Sequence, residues 1–245
     1  IKQTMNIAQK LYEGGHITYM RTDSMYISDE FSNKINKFIG DKFNSSDYCK
    51  PGVKKVKGAQ EAHEAIRNTS LTKPIDLEPI DMKLYNLIYD RTVTSHMKPC
   101  ENLIYKVKIS NENIQNDGYF TASHKRMMYP GYKIYYDNSL KQEEKPEINE
   151  TYNLEECIAT QKPGNIPQYY DESSIVSLLE KSGIGRPSTY SAIVSTLDNR
   201  KYTEKREYKE PDKEVKTLTL TKEDEIIEEE KTVAGNIQKK RILIT

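Results

Sequence analysis

"TMNIAQKLYEGGHITYMRTDS" spans Thr4 to Ser24, and its punctuation points to mixed α and β structure. Ile7, Ala8, Leu11 and Tyr12 recur at helical spacing, and Gly14-Gly15 stops that run. His16 to Met20 then reads as a strand, on which Tyr19 and Arg21, two residues apart, share one face. A phenol and a guanidinium side by side, with Thr22-Asp23-Ser24 directly behind, are the residue types of a nucleophile and the cation that steadies the oxyanion it attacks. Surface decoration would use the same two residues, so the pair needs company before it means chemistry.

Working outward, Ser28 can cap a second helix with apolar positions Phe31, Ile35, Phe38 and Ile39. A third helix is expected from Asp81 to Met97, with Leu84, Leu87, Ile88 and Arg91 on one face and Pro99 behind its end. From Leu103 the period changes to two: Ile104 to Ile109 alternates, and "NDG" (Asn116 to Gly118) signals a turn before Tyr119-Phe120-Thr121. Gly131–Tyr136 and Thr151–Thr160 read as further strands of an antiparallel module of roughly sixty residues. Helices return at Ser173–Lys181 and Ser188–Asn199; from Glu204 to Thr245 charge dominates, "KEDEIIEEE" (Lys222 to Glu230) reads as a solvated loop or helix face, and Ile242 to Thr245 looks like a strand cut short. The expected class is α+β.

Composition narrows the function classes. Lys+Arg and Asp+Glu both number 37, so no global charge announces nucleic acid, and only a local basic surface could do so. Hydrophobic residues make up 36% and charged residues 30%, a balance that suits an open shape with polar internal surfaces. Tyrosine is abundant, 18 residues against 4 Phe and no Trp, and phenols also stack on bases. Cys49, Cys100 and Cys157 form no C-x-x-C pair, and no signal peptide or apolar span is visible, which predicts a cytoplasmic protein without disulfides, zinc or membrane.

Two further stretches bring chemistry. In "KSGIGRPSTYSAIVSTLDNRKY" (Lys181 to Tyr202), Gly183 and Gly185 bracket a tight turn, Pro187 suits a first helical turn, and Ser188 or Thr189 offers an N-cap hydroxyl. With Arg186 beside it, such a helix start can hold a phosphate, although a plain capped hairpin would use the same letters. In "AQEAHEAIR" (Ala59 to Arg67), His63 lies between Glu61 and Glu64 with Arg67 four residues on. The spacing fails the H-E-x-x-H metal pattern, but His63 and Arg67 can converge on one phosphate.

Together, "TMNIAQKLYEGGHITYMRTDS", "AQEAHEAIR" and "SGIGRPSTYSAIVSTLDNRKY" resemble, in order and at comparable separations, three signature segments of type IA DNA topoisomerases. The resemblance implies that Tyr19 attacks a phosphodiester of single-stranded DNA and keeps the 5′ end as a phosphotyrosine. It implies that Arg21 positions the scissile phosphate, that His63 belongs to the strand-binding network with Arg67 near it, and that Arg186, Ser188 and Thr189 line the single-strand groove. The implied layout is a helical tyrosine-bearing domain at residues 1–102, a β arch at 103–162 and part of a helical domain at 163–245. The implied activity is ATP-independent relaxation of negatively supercoiled DNA by a monomer.

The chain departs from the family in two places. Asn68 stands where the family usually has Pro after "HEAIR". The family's acidic Mg²⁺-binding domain lies N-terminal to these segments, and no D-x-D cluster occurs here, so Mg²⁺ is expected outside the chain and no metal ligand within it. The chain, opening at Ile1, reads as the tyrosine-bearing portion of a longer enzyme, expected to be inactive by itself. A catalytically silent single-strand-binding module on the same scaffold is the alternative. A tyrosine recombinase fits less well, because Tyr19 stands early in the chain.

Overall fold

A computed structural model describes residues 1–50, 63–74, 76–110, 118–141, 143–144, 151, 153, 155–161, 169–221, 225–235 and 237–244. Contacts gather the chain into two compact units, one of Gln3–Ile148 and one of Ile1–Lys2 with Asn149–Thr245. Helices and antiparallel strands are mixed, as the α+β reading expects.

The first unit is built on three helices. Helix α1 (Lys2–Glu13) buries Ala8 and Leu11, and Gly14 and Gly15 close it by donating to the Lys10 and Tyr12 carbonyls, each at 2.9 Å. Helix α2 (Asp29–Phe43) starts at Ser28, whose hydroxyl accepts the Phe31 N–H at 3.4 Å, and it buries Phe31, Ile35 and Ile39 on one stripe. Helix α3 (Pro79–Ser95) opens on Pro79. Its core face is Tyr85, Tyr89 and Val93; the expected face is wrong by part of a turn, since Leu87 is 59% exposed and Arg91 is exposed. Aromatics decide the rotation: Tyr89 buries its ring and still satisfies its hydroxyl on the Leu71 carbonyl at 2.9 Å. Each fully buried Leu or Ile here contributes roughly 1.5–3 kcal/mol.

Strands β1 (Glu101–Ile109) and β2 (Phe120–Tyr129) form an antiparallel two-stranded ribbon, with Tyr105 opposite His124 and Ile109 opposite Phe120. The expected turn residues Asn116 and Asp117 lie outside the described residues. Gly131–Tyr136, expected as a strand, is instead a 3₁₀ turn over Gly131–Tyr135. Pro130 before it cannot donate to a ladder and sits in the helical region (φ −70°, ψ −29°), which turns the chain out of the sheet.

The second unit carries β3 (Cys157–Thr160), α4 (Glu172–Lys181), α5 (Tyr190–Asn199), β4 (Thr203–Lys209), β5 (Lys213–Leu220), β6 (Ile226–Val233) and β7 (Ile237–Ile244). Its sheets run β3-β5-β6 and β4-β7. Two expectations are corrected here. Among the described residues of the supposed arch strand Thr151–Thr160, only Cys157–Thr160 is a strand, and it pairs with β5. Ile226–Glu230 of "KEDEIIEEE" lie in strand β6, not in a loop or a helix face. Opposite charges face each other across the β5–β6 ladder, where Lys216 pairs with Glu230 at 2.5 Å, so the charge run is compatible with a sheet that water reaches. Residues 222–224 of "KEDEIIEEE" are outside the described set. Among the described residues of this unit, 205–206 and 237–244 aside, only Val194 and Val215 are buried. No helix among the described residues is long and apolar enough to cross a membrane.

Candidate functional site

The first site is laced together from segments far apart in sequence. The residues after His63 run antiparallel to those before Tyr19: Thr18 N–H donates to the Arg67 carbonyl at 2.8 Å, and Thr69 N–H to the His16 carbonyl at 3.0 Å. The Thr18 hydroxyl serves both ways, accepting the Arg67 N–H at 2.9 Å and donating to the Ala65 carbonyl at 2.7 Å. On the other side, Ala65 N–H reaches the Tyr26 carbonyl at 2.7 Å. Within the described lacing the Asn68 N–H supplies no rung, so a residue without an N–H would fit this position equally well. The Asn68 side chain is fully buried and its amide turns back onto the Ser70 carbonyl.

The expected strand from His16 to Met20 is reduced to a single bridge, Ile17 against Asn68, and the chain bends at Met20 and Arg21. The same-face rule for Tyr19 and Arg21 therefore does not apply. Tyr19 is half-buried, Arg21 is exposed, and among the described residues no carboxylate pairs with Arg21. Beyond the bend, Thr22 and Ser24 hydroxyls accept backbone N–H groups two residues on, at 3.0 and 3.2 Å, which holds the turn by local bonds.

Tyr19 lines an open cleft of about 720 Å³ with Tyr12, Thr18, His63, Glu64 and Thr69. Its ring meets His63 with centroids 5.5 Å apart and Tyr12 edge-on at 5.3 Å. His63 Nδ1 is buried without a hydrogen-bond partner among the described residues, leaving one unsatisfied polar atom beside the phenol. Glu61 lies outside the described residues. Glu64 is committed to the fold: it accepts the Ser28 N–H at 2.7 Å and pairs with the Arg67 guanidinium. Burial works against its ionisation, but the Ser28 bonds and Arg67 outweigh that and hold the carboxyl below its usual range.

Arg67 is a correction. The sequence reading aims it at a phosphate; the structure turns it inward, 11% exposed, stacked 3.9 Å over the Phe31 ring and bonded to Glu64 and the Asn68 carbonyl. It ties the His63 segment to α2 and so positions the cleft. Tyr12 and Glu64 are cleft residues that sequence reasoning missed. Tyr12 passed as part of an apolar helix stripe, yet it is 40% exposed at the cleft edge.

The second site is local. Between α4 and α5, Gly183 and Gly185 take φ values of +70° and +81°, the left-handed region that Gly occupies without strain. A Cβ on Gly185 would also stand 2.8 Å from Ile193 Cδ1, so Gly is required there twice over. Thr189 does not cap the helix with its side chain; its hydroxyl accepts the Arg186 N–H at 2.9 Å and donates back to the Arg186 carbonyl at 3.1 Å. The Arg186 carbonyl also takes the N–H groups of Thr189 and Tyr190, so helical bonding starts at Arg186 with Pro187 next in line. Arg186, Ser188 and Thr189 are all exposed, and the Arg186 guanidinium rests on the Gly185 carbonyl at 2.7 Å. Tyr19, His63 and Arg67 belong to the first unit, and Arg186, Ser188 and Thr189 to the second.

Comparison with known proteins gives this geometry its context. The family model for DNA topoisomerase matches residues 1–234. A DNA topoisomerase 1 of prokaryotic type from Acanthamoeba polyphaga mimivirus is 35% identical over the whole chain, which covers 32% of that protein. A DNA topoisomerase 1 from Rickettsia prowazekii is 40% identical over 82% of the chain and 29% of that relative. Full-length topoisomerase I from Thermotoga maritima superposes with a TM-score of 0.65 at 29% identity, covering 82% of this chain and 35% of that one. The chain thus spans about a third of the length of the relatives it matches. With the family model matched over nearly all its residues, this chain belongs to the type IA DNA topoisomerases.

Proposed function

We propose that Tyr19 is the nucleophile of a topoisomerase that cuts one DNA strand, passes another through the gap and reseals it, relaxing negative supercoils without ATP. The observation that carries this reading is the half-buried Tyr19 beside His63 on an open cleft, in a chain of this family. Tyr19 Oη forms a bond to phosphorus while the bond to the departing 3′ oxygen breaks. The 5′ phosphate stays on the tyrosine, and the leaving oxygen takes up a proton. Religation reverses each step, and the covalent link conserves the phosphodiester's energy. A phenol that still holds its proton is a poor nucleophile and needs help to attack at neutral pH. His63, its Nδ1 without a partner among the described residues, supplies a polar group beside it, and Arg21 past the bend supplies charge for the non-bridging oxygens. Arg186, Ser188 and Thr189 hold the strand backbone, and Arg67 keeps the cleft in shape. The protein acts as a monomer on DNA in the cytoplasm.

The resemblance implies Mg²⁺, which would neutralise phosphate charge when bound. Among the described residues no three His, Cys, Asp or Glu side chains gather to hold a metal, and Glu64 on the cleft is engaged by Ser28 and Arg67. The described residues do not fit the ion, and no step here runs through it. The 245 residues alone should therefore fail to relax plasmid DNA.

The test is adduct trapping in the full-length protein with end-labelled oligonucleotides. A 3′-labelled strand should transfer its label to the protein and a 5′-labelled strand should not. Tyr19→Phe should abolish transfer while leaving single-strand binding within a few-fold, because one hydroxyl contributes little binding area. Label transfer from the 5′-labelled strand would indicate recombinase-type linkage. Binding without any adduct in the unmodified protein would favour the silent-module reading.

A further inference from the structure

The β1–β2 ribbon exposes side chains on both of its faces, and the faces differ in chemistry. Register puts Lys106 opposite Ser123, Lys108 opposite Thr121 and Lys125 opposite Ile104, all on one face and all exposed. Among the described residues none of these lysines has a carboxylate partner. The other face carries Tyr105, Val107 and Ile109, which are partly buried, and Arg126, which is engaged by the Glu143 carbonyl. In a chain whose charges sum to zero, a ribbon face that among its described residues has three cations, two hydroxyls and no acid is a segregated surface.

We propose that this face grips the phosphates of duplex DNA, at a place separate from the cleft that takes the cut strand. The proposal rests on the reading that DNA is the partner. Three features favour a duplex over a single strand. Single-strand grooves pair cations with open aromatic platforms for bases. Among its described residues this face offers one ring at most: Tyr119, next to its tip, is 51% exposed with Lys108 Nζ over it at 3.7 Å, one aromatic beside three cations. The hydroxyls of Ser123 and Thr121, beside the lysines, suit phosphate oxygens rather than base edges. A two-stranded antiparallel ribbon is also a shape that the major groove of B-DNA admits.

The experiment is fluorescence anisotropy of the protein on a blunt duplex and on a single strand of equal length, between about 50 and 200 mM salt. Lys106→Gln/Lys108→Gln/Lys125→Gln should flatten the duplex slope of log affinity against log salt by about 2.7, three contacts at about 0.9 each. The single-strand slope should stay within about half a contact of the unmodified protein, roughly 0.35. Lys106→Arg/Lys108→Arg/Lys125→Arg keeps the charges and should keep the duplex slope, which separates loss of charge from loss of fold. An unchanged duplex slope, or an equal loss on both substrates, would overturn the proposal. Adduct formation on a single-stranded oligonucleotide reports on Tyr19 independently and should survive the triple substitution, so failure of the ribbon and failure of the active-site reading give different results.

Discussion

The two candidate sites are built in opposite ways. Around Tyr19 the defining bonds join residues far apart: Glu64 to Ser28 across 36 positions, Arg67 to Thr18 across 49, Thr69 to Gly15 across 54. Around Arg186 the bonds close within the turn, Arg186 to Thr189 across three positions. The first site exists only while its unit's core of Leu11, Ile35, Ile39, Tyr85 and Val93 is packed. The second is specified by its own letters and needs little around it. The cleft proposed to hold a nucleophile is tied into the best-packed part of the molecule, whereas the proposed phosphate cradle is a turn.

The largest expected effect tests that dependence. Leu11 is fully buried on α1, one residue before Tyr12. Leu11→Ala should cost about 2–5 kcal/mol. Hydrogen exchange should show the Thr18 and Thr69 amides losing protection while the Ile193 amide at the start of α5 keeps its own. Equal loss at both places would dissolve the contrast.

Next comes Glu64, the clasp between α2 and the His63 segment. Its side chain is 25% exposed and Arg67's only 11%, so Glu64→Ala leaves a mostly buried guanidinium without its partner and should cost about 2–3 kcal/mol. The pH dependence follows from direction. The folded carboxyl sits below its ordinary 4.5, so its contribution is present above that value and is lost as pH falls through the folded pKa. Melting temperature should drop on acidification below about 4.5, and Glu64→Gln should start lower at neutral pH and show a flatter acid limb. An identical acid limb in the variant would mean that Glu64 is not the clasp.

These differences explain what could be read in advance. The caps, the glycine turns and the alternating β1 strand depend on neighbours in sequence, and Ser28, Gly183, Gly185 and Ile104–Ile109 were legible for that reason. The inward turn of Arg67 was not, because the Phe31 ring and Glu64 carboxylate that hold it come from the fold. His16–Met20 has strand letters but finds a single bridge partner, and no local pattern reveals how many rungs a strand will get. The charged strands β5 and β6 were missed for the converse reason: cross-strand Lys–Glu pairing is invisible until the register is known.

A smaller effect separates strain from contact within the second site. Gly183 and Gly185 both have positive φ, but a Cβ on Gly183 meets open space while one on Gly185 meets Ile193. Gly183→Ala should cost about 1–2 kcal/mol of backbone strain and Gly185→Ala more, with the difference read by exchange at the start of α5. Equal costs would mean that Ile193 swings away freely.

The smallest expected effect concerns Arg186 itself. Its guanidinium is exposed and rests on the Gly185 carbonyl, so Arg186→Ala leaves the turn's own bonds, which run through backbone and Thr189, in place. Stability should change by less than about 0.5 kcal/mol. Single-strand affinity should weaken modestly at every sequence, and its salt slope should flatten by about 0.7, one phosphate's worth. Arg67→Lys, by contrast, should lower stability and leave that slope unchanged, because Arg67 faces Phe31 and Glu64 rather than solvent. If the slope instead answered to Arg67 and not to Arg186, the cleft would be the phosphate-binding surface and the Gly-bracketed turn only a helix start.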